Sequence, residues 1–199
     1  MLIGITGKAR VGKDTFTEMM VEELYKRTRS KFIMMAFANE LKLRVQRDFD
    51  LTYDQLWGDS KEEEDVRYTK PGGGYWTGRE IMQAYGEFYR SINNSFWVDN
   101  LFKIIEEKEY SNVVITDVRH PNEAEPVKDR GGYIIKVTSV RRKIQDIHGN
   151  NHISEVAMDN YENIDFYVRN DGTLEDLKVI AKQVVDFLFK SEKFKKMEV

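Results

Sequence analysis

One stretch near the N-terminus constrains this chain more than any other. Leu2-Ile3-Gly4-Ile5-Thr6 reads as a buried strand, Phe16, Met19, Met20 and Leu24 follow at helical spacing, and between them stands Gly7-Lys8-Ala9-Arg10-Val11-Gly12-Lys13. A strand that enters a helix through a turn spelled GxxxxGK is a phosphate-binding loop. Its glycines let successive backbone N–H groups turn inward around phosphate oxygens, the helix N-terminus adds the positive end of its dipole, and the lysine reaches the β- and γ-phosphates. Gly7, Arg10, Val11, Gly12 and Lys13 are therefore candidate nucleotide-holding residues. The position after the lysine, commonly a Ser or Thr that ligates magnesium, is Asp14, with Thr15 next. Either residue could supply the oxygen.

Behind this loop the chain reads as strands alternating with helices. The apolar run Phe32 to Ala38 predicts a second strand, continuous as in a parallel sheet covered on both faces. Asn39 to Phe49 predicts a helix. Leu51 to Tyr75, with its acidic cluster Glu62-Glu63-Glu64-Asp65 and Pro71-Gly72-Gly73-Gly74, predicts an irregular, mobile surface segment. Helices are expected from Thr77 and around Trp97 to Ile105, and further strands at Val113–Thr116, Tyr133–Val137 and Asp165–Val168. A last helix is capped by Thr173 with Asp176 three residues on, and its tail from Ser191 is expected to fray. Five apolar strands alternating with helices predict an α/β fold with a mostly parallel five-stranded sheet, whose ligands bind at the carboxyl ends of the strands.

The 199 residues suit one domain, and with 41% hydrophobic residues they can bury a core, which excludes wholesale disorder. A formal net charge of −3 without a Lys/Arg block gives no case for a nucleic-acid polymer as partner. The longest apolar run falls far short of the roughly 18 residues a membrane span needs, and no secretion signal precedes it. Zero Cys removes thiolate chemistry and fits a reducing cytoplasm. The oligomeric state, a homodimer included, stays open.

Further candidates sit just after predicted strands. Val113-Val114-Ile115-Thr116 ends in Asp117, a Walker B pattern that would set a carboxylate beside a metal at the phosphate loop, and Arg119 lies two residues on. The alternative for Asp117 is a turn cap, and for Arg119 a surface salt bridge. Thr77-Gly78-Arg79 opens a helix, with Arg90 three turns later; a guanidinium offers a bidentate fork to an accepting phosphate. Arg141 and Arg142, in a polar stretch from 139 to 154, could close over the transferring group as a lid. His120, His148 and His152 lack metal-site spacing. Tyr75, Trp76, Phe96 and Trp97 are either base-stacking or core aromatics.

Taken together, Gly7 to Thr15, Phe37-Ala38-Asn39-Glu40-Leu41-Lys42, Thr77-Gly78-Arg79, Phe96-Trp97, Asp117-Val118-Arg119-His120-Pro121-Asn122-Glu123-Ala124 and Asn170-Asp171-Gly172-Thr173-Leu174 resemble the phage-type deoxynucleoside monophosphate kinases. The likeness spans nearly the whole chain. In that family Asp follows the loop lysine, as here. The resemblance implies a three-layer P-loop fold of the adenylate-kinase type, a single kinase domain over 1–199 with a helical acceptor-binding insertion at about 39–110 and a lid at about 139–154. It implies ATP and Mg2+ as cofactors and a deoxynucleoside monophosphate (dNMP) as substrate. Lys13, Arg79, Arg119, Arg141 and Arg142 become the expected catalytic group. Asn170 and Thr173 join the nucleotide site, Asp14, Thr15 and Asp117 the metal shell, and Lys8, Lys42, Arg79, Arg90, Trp97, Asp117 and Arg119 the acceptor site. Two alternatives stay beside this reading: a related kinase of phosphomevalonate or dephospho-coenzyme A, and a non-catalytic ATP-binding regulatory module.

Overall fold

The computed structural model describes residues 1–140 and 156–197. Arg141, Arg142, His148, His152 and most of the expected lid lie outside them. In chain order the elements are β1 (Leu2–Thr6), α1 (Lys13–Thr28), β2 (Ile33–Met35), α2 (Phe37–Phe49), α3 (Tyr53–Trp57), a 3-10 turn (Asp59–Glu62), β3 (Glu64–Thr69) and β4 (Tyr75–Thr77). They continue with α4 (Gly78–Ile92), α5 (Phe96–Glu107), β5 (Val113–Val118), α6 (Pro121–Asp129), β6 (Tyr133–Thr138), β7 (Phe166–Arg169) and α7 (Leu174–Met197).

The chain divides into two compact units, Met1–Met35 with Glu109–Val199, and Ala36–Lys108. In the first, five strands form one sheet in the order β2-β5-β1-β6-β7, every neighbouring pair parallel. β1 is central because it pairs on both sides, Ile3 with Val114 and with Tyr133. Ile3 and Ile5 bury against Phe16 and Met20 of α1 and Val184 and Leu188 of α7, all fully buried, while α6 packs on β1 and β6. Each such side chain contributes about 1.5–3 kcal/mol by leaving water. The sheet is therefore the rigid part, and the loops at its carboxyl edge are what it positions. The expected five-stranded parallel sheet with flanking helices is the architecture found. α7 runs on to Met197, past the Ser191 where fraying is expected.

In the second unit α2 packs against α4 and α5 around Leu41, Val45, Leu56, Ile81 and Trp97, and β3 and β4 form an antiparallel hairpin. α4 begins where Thr77 accepts from the Glu80 N–H while the Glu80 carboxylate accepts from the Thr77 N–H, a capping box in full.

Two expectations change. The second strand is only Ile33–Met35, because Ala36 ends the extended backbone and Phe37 turns inward as the first, buried residue of α2. The stretch 51–75 is not irregular: it holds α3, the 3-10 turn and most of the hairpin. Its acidic cluster hides a buried carboxylate, Asp65, which accepts from Arg67 at 2.9 and 2.7 Å and from Gln55 at 2.9 Å. The Arg67 guanidinium holds the Asp65 carboxyl well below the usual carboxylate range.

Candidate active site

The phosphate loop of the first unit runs from the end of β1 into α1. Gly12 caps the helix in the left-handed region at φ 81, and a Cβ there would lie 2.2 Å from Asn170 Nδ2, so only glycine fits. Asn170 uses that amide to donate to the Val11 carbonyl at 2.9 Å. This pins the loop's carbonyl on the side of the loop that faces Asn170. Phe16 N closes the first helical bond onto Gly12 O at 3.0 Å, leaving the first-turn N–H groups without intrahelical acceptors, as at any helix start. Arg10 holds φ 54, the left-handed conformation that a tight loop imposes even on a side chain that resists it.

Lys13 is the most constrained side chain of the loop. It is 11% exposed, and its Nζ donates to the Thr116 carbonyl at 2.6 Å and to Asp14 Oδ1 at 2.7 Å. Thr116 belongs to β5, which pairs directly with β1, so the ammonium bridges the loop to the strand that carries Asp117. Asp14 itself is open to solvent at 85%. Thr15 is half-buried in the first turn of α1. Among the described residues no three acidic or histidine side chains converge as a ready-made metal cluster. A magnesium ion bound with a nucleotide needs only one or two protein oxygens beside the phosphates, and Asp14, Thr15 and Asp117 are oxygen donors of the hard type it takes.

The loops after β5, β6 and β7 complete this edge. Arg119 and His120 both donate their backbone N–H to Glu123 Oε2, at 2.7 and 3.1 Å, and Pro121 stands at the first position of α6, where its missing N–H costs nothing. Glu123, only 4% exposed, thus fixes the backbone from which Arg119 projects. It was not among the expected site residues, although a carboxylate at the third position of a Pro-led helix is a readable signal. Lys8 pairs with Asp159 at 2.8 Å, and Lys136 Nζ donates to the carbonyls of Met158 and Asp159 at 2.6 and 3.4 Å. Burial lowers the Lys136 pKa. Asp171 accepts from Val140 N at 2.6 Å and Ser139 Oγ at 3.1 Å and pairs with Arg169, whose guanidinium, ahead of these bonds, brings its carboxyl down to about 2. Thr173 caps α7 in a reciprocal pair with Asp176.

The second unit supplies the other candidates. Arg79 pairs with Glu62 of the 3-10 turn. Arg90 lies against Gly86, where a Cβ would stand 3.0 Å from its guanidinium. Lys42 sits 5.3 Å over the Trp57 ring. Trp97 is 3% exposed, packs on Tyr85, Tyr89 and Phe96, and donates its indole N–H to Gly86 O at 3.2 Å, so its ring is part of this unit's core. Arg44, which sequence reading passed over, pairs with Glu40 at 2.8 Å and lies 5.1 Å over Phe96 and 5.9 Å over Trp97.

The family model of deoxynucleotide monophosphate kinases matches residues 61–180. The chain belongs to that family. The kinase is also 28% identical over 189 residues to a protein of Acanthamoeba polyphaga mimivirus provisionally named as a deoxynucleotide monophosphate kinase, an alignment covering 88% of this chain and 91% of that one. Among solved structures it is similar to shikimate kinase from Aquifex aeolicus, at 13% identity and a TM-score of 0.46, covering 99% of both chains. It is likewise similar to dephospho-CoA kinase from Campylobacter jejuni, at 11% identity and a TM-score of 0.49, covering 96% of this chain and 98% of that one. The family match takes in Arg79, Arg90, Asp117, Arg119, Asn170 and Thr173, and starts after the phosphate loop. The kinase is thus a phosphotransferase by its family, with a phosphate-binding loop that lies ahead of the matched residues. No helix among the described residues is long and apolar enough to cross a membrane.

Proposed function

We propose that this kinase moves the γ-phosphoryl group of ATP to a phosphate oxygen of a dNMP, giving ADP and a deoxynucleoside diphosphate. The observation that supports this most is Lys13, held 2.6 Å from the Thr116 carbonyl at the end of a complete phosphate loop, in a chain of the deoxynucleotide monophosphate kinase family. The accepting oxygen is already ionised, so the reaction needs no strong general base; the work is positioning and charge neutralisation. Lys13 and the loop amides from Gly7 to Thr15 hold the donor's β- and γ-phosphates, with Asn170 keeping the Val11 carbonyl turned aside. Asp14 or Thr15, with Asp117, are the residues that would hold magnesium, which when bound neutralises charge on the β- and γ-oxygens. Arg119, its backbone fixed by Glu123, is assigned to the acceptor's phosphate, as by the family likeness are Arg79 and Arg90, with Lys8 and Lys42 also on the acceptor side; Trp97, its ring in the core of the second unit, is not. Arg141 and Arg142 are assigned to covering the transferring group.

A coupled assay of ADP formation across the four common dNMPs and their ribose counterparts tests this directly. ADP release that requires a dNMP and magnesium is the expected result. Slow release that no nucleoside monophosphate accelerates would instead make the protein an ATP-binding switch, and acceleration only by another phosphorylated acceptor would keep the chemistry and move the substrate.

A further inference from the structure

Thr116 makes two contacts, of which the phosphate site needs only one. Its carbonyl accepts from Lys13 Nζ at 2.6 Å, and its hydroxyl donates to the carbonyl of Met35 at 3.3 Å. Met35 is the last residue of the first unit before the chain enters the second, and Phe37, two residues on, begins α2. One half-buried residue therefore touches both the donor lysine and the point at which the chain leaves the sheet.

Strand pairing explains why these atoms are placed so. β2 pairs with β5 through Ile33 with Val113, Met34 with Val114 and Met35 with Ile115, so Thr116 is the first residue of β5 beyond that ladder. On its other side the register with β1 slips: Gly4 lies opposite Ile115 but Thr6 opposite Val118, so three steps along β5 match two along β1. The extra residue falls at Thr116 and Asp117, and an irregularity of this kind re-aims the groups it carries. At that slip the Thr116 carbonyl meets the lysine of the loop.

A ligand acts on both bonds at once. An ammonium has three N–H donors, and those of Lys13 serve Thr116 and Asp14. The β- and γ-phosphates assigned to this lysine compete for the same donors, and a change of partner there is felt by the Thr116 peptide. The hydroxyl of the same residue carries that change to Met35. At 3.3 Å its bond is longer than the usual O–H···O length of about 2.7–2.8 Å, so a small displacement decides whether it holds.

We propose that Thr116 is a positioning residue that couples the two substrates, its carbonyl reporting on the donor phosphates through Lys13 and its hydroxyl setting the carbonyl from which the chain runs into the acceptor-side unit. The inference rests on the donor and acceptor assignments above and deepens them. ATP and dNMP each bind more tightly when the other is present, and by the same factor, as linkage requires.

The test uses the full-length protein as wild type, as Thr116→Val, which keeps the β-branched shape and the carbonyl but not the hydroxyl, and as Thr116→Ser, which keeps the hydroxyl. Calorimetry gives the Kd of dTMP with and without a saturating non-hydrolysable ATP analogue and magnesium, and the Kd of the analogue alone. In the wild type the analogue should tighten dTMP by about fivefold or more. Thr116→Val should reduce that factor to less than about twofold, hold each ligand's affinity in the absence of the other within about twofold, and raise the KM for dTMP at saturating ATP correspondingly, while Thr116→Ser restores the coupling. A wild type without coupling, a Thr116→Val protein that retains it, a Thr116→Ser protein that lacks it, or a Thr116→Val loss that is equally large for each ligand alone overturns the proposal. Should Thr116→Val fail to fold, Thr116→Ala takes its place. A wild type that turns over no dNMP overturns the acceptor reading and not the coupling, which is then measured with the acceptor that the ADP assay identifies; an ATP-binding protein with no acceptor overturns both.

Discussion

Lys13 shows how much one residue carries in this site. It is both the cation of the loop and, through Thr116, the tie to β5, so Lys13→Ala removes charge at the donor phosphates and one buried hydrogen bond. Phosphoryl transfer should fall by on the order of 10²–10³, while the melting temperature drops by only the few degrees that about 1 kcal/mol represents in a chain of this size. Retention of more than roughly a tenth of the activity would rule the lysine out. Asp14 and Thr15 compete for one role. If Asp14 holds the metal, Asp14→Asn raises the magnesium needed for half-maximal rate and Thr15→Ala does not; the reverse result assigns the threonine. Asp171 gives a pH signature. An unfolded aspartate titrates near 3.9, whereas in the fold Arg169 and the Val140 N–H bring it down to about 2. Its ionised form therefore stabilises the fold above about pH 4, and that contribution is lost as the pH falls from about 4 to about 2. Acid titration of the folded fraction should be shallower in Asp171→Asn.

At the scale of elements, what could be read in advance was what local chemistry decides. β1, the loop and α1 follow from glycine spacing and helical periodicity, and the starts of α4 and α7 from Thr77 and Thr173 with an acid three residues on. The hairpin β3–β4 was illegible because part of its order comes from residues outside it: Gln55 donates to Asp65, and Tyr68 is tied to Phe49. α6 was not among the expected elements, and it forms around two prolines: Pro121 begins it and Pro126 is tolerated within. Of the site, the loop was legible, Glu123 could have been read as the cap of a Pro-led helix, and the Asn170–Val11 bond could not, since only the fold brings those two residues together. The start of α4 carries its own prediction. Arg79→Ala should weaken the acceptor by about 2–5 kcal/mol and spare ATP, and Glu62→Gln, by releasing Arg79 from its carboxylate, should tighten the acceptor. A fall in ATP affinity without one in acceptor affinity would exchange the two assignments.

For the whole molecule, the division into two units bears on ligand binding first. ATP is assigned to residues of the first unit, so ATP with magnesium at about a hundred times its Kd should stabilise that unit by about 2.7 kcal/mol, while a saturating dNMP, to which Arg79 and Arg90 of α4 are assigned, should protect the amides of α4 from hydrogen exchange. A dNMP that protects no amide of α4 would contradict that assignment. The sheet order has a second consequence, which concerns how the chain comes to be folded. β2 and β5 are neighbours, yet all of residues 36–112 lie between them, the longest connection between strands that follow one another along the chain in this sheet. Closure of a disordered loop of that length carries a large entropic cost, which a folded second unit shortens to the span between its own ends. The second unit should therefore condense before β2 docks, and weakening its core at Val45 should slow folding of the sheet it does not belong to.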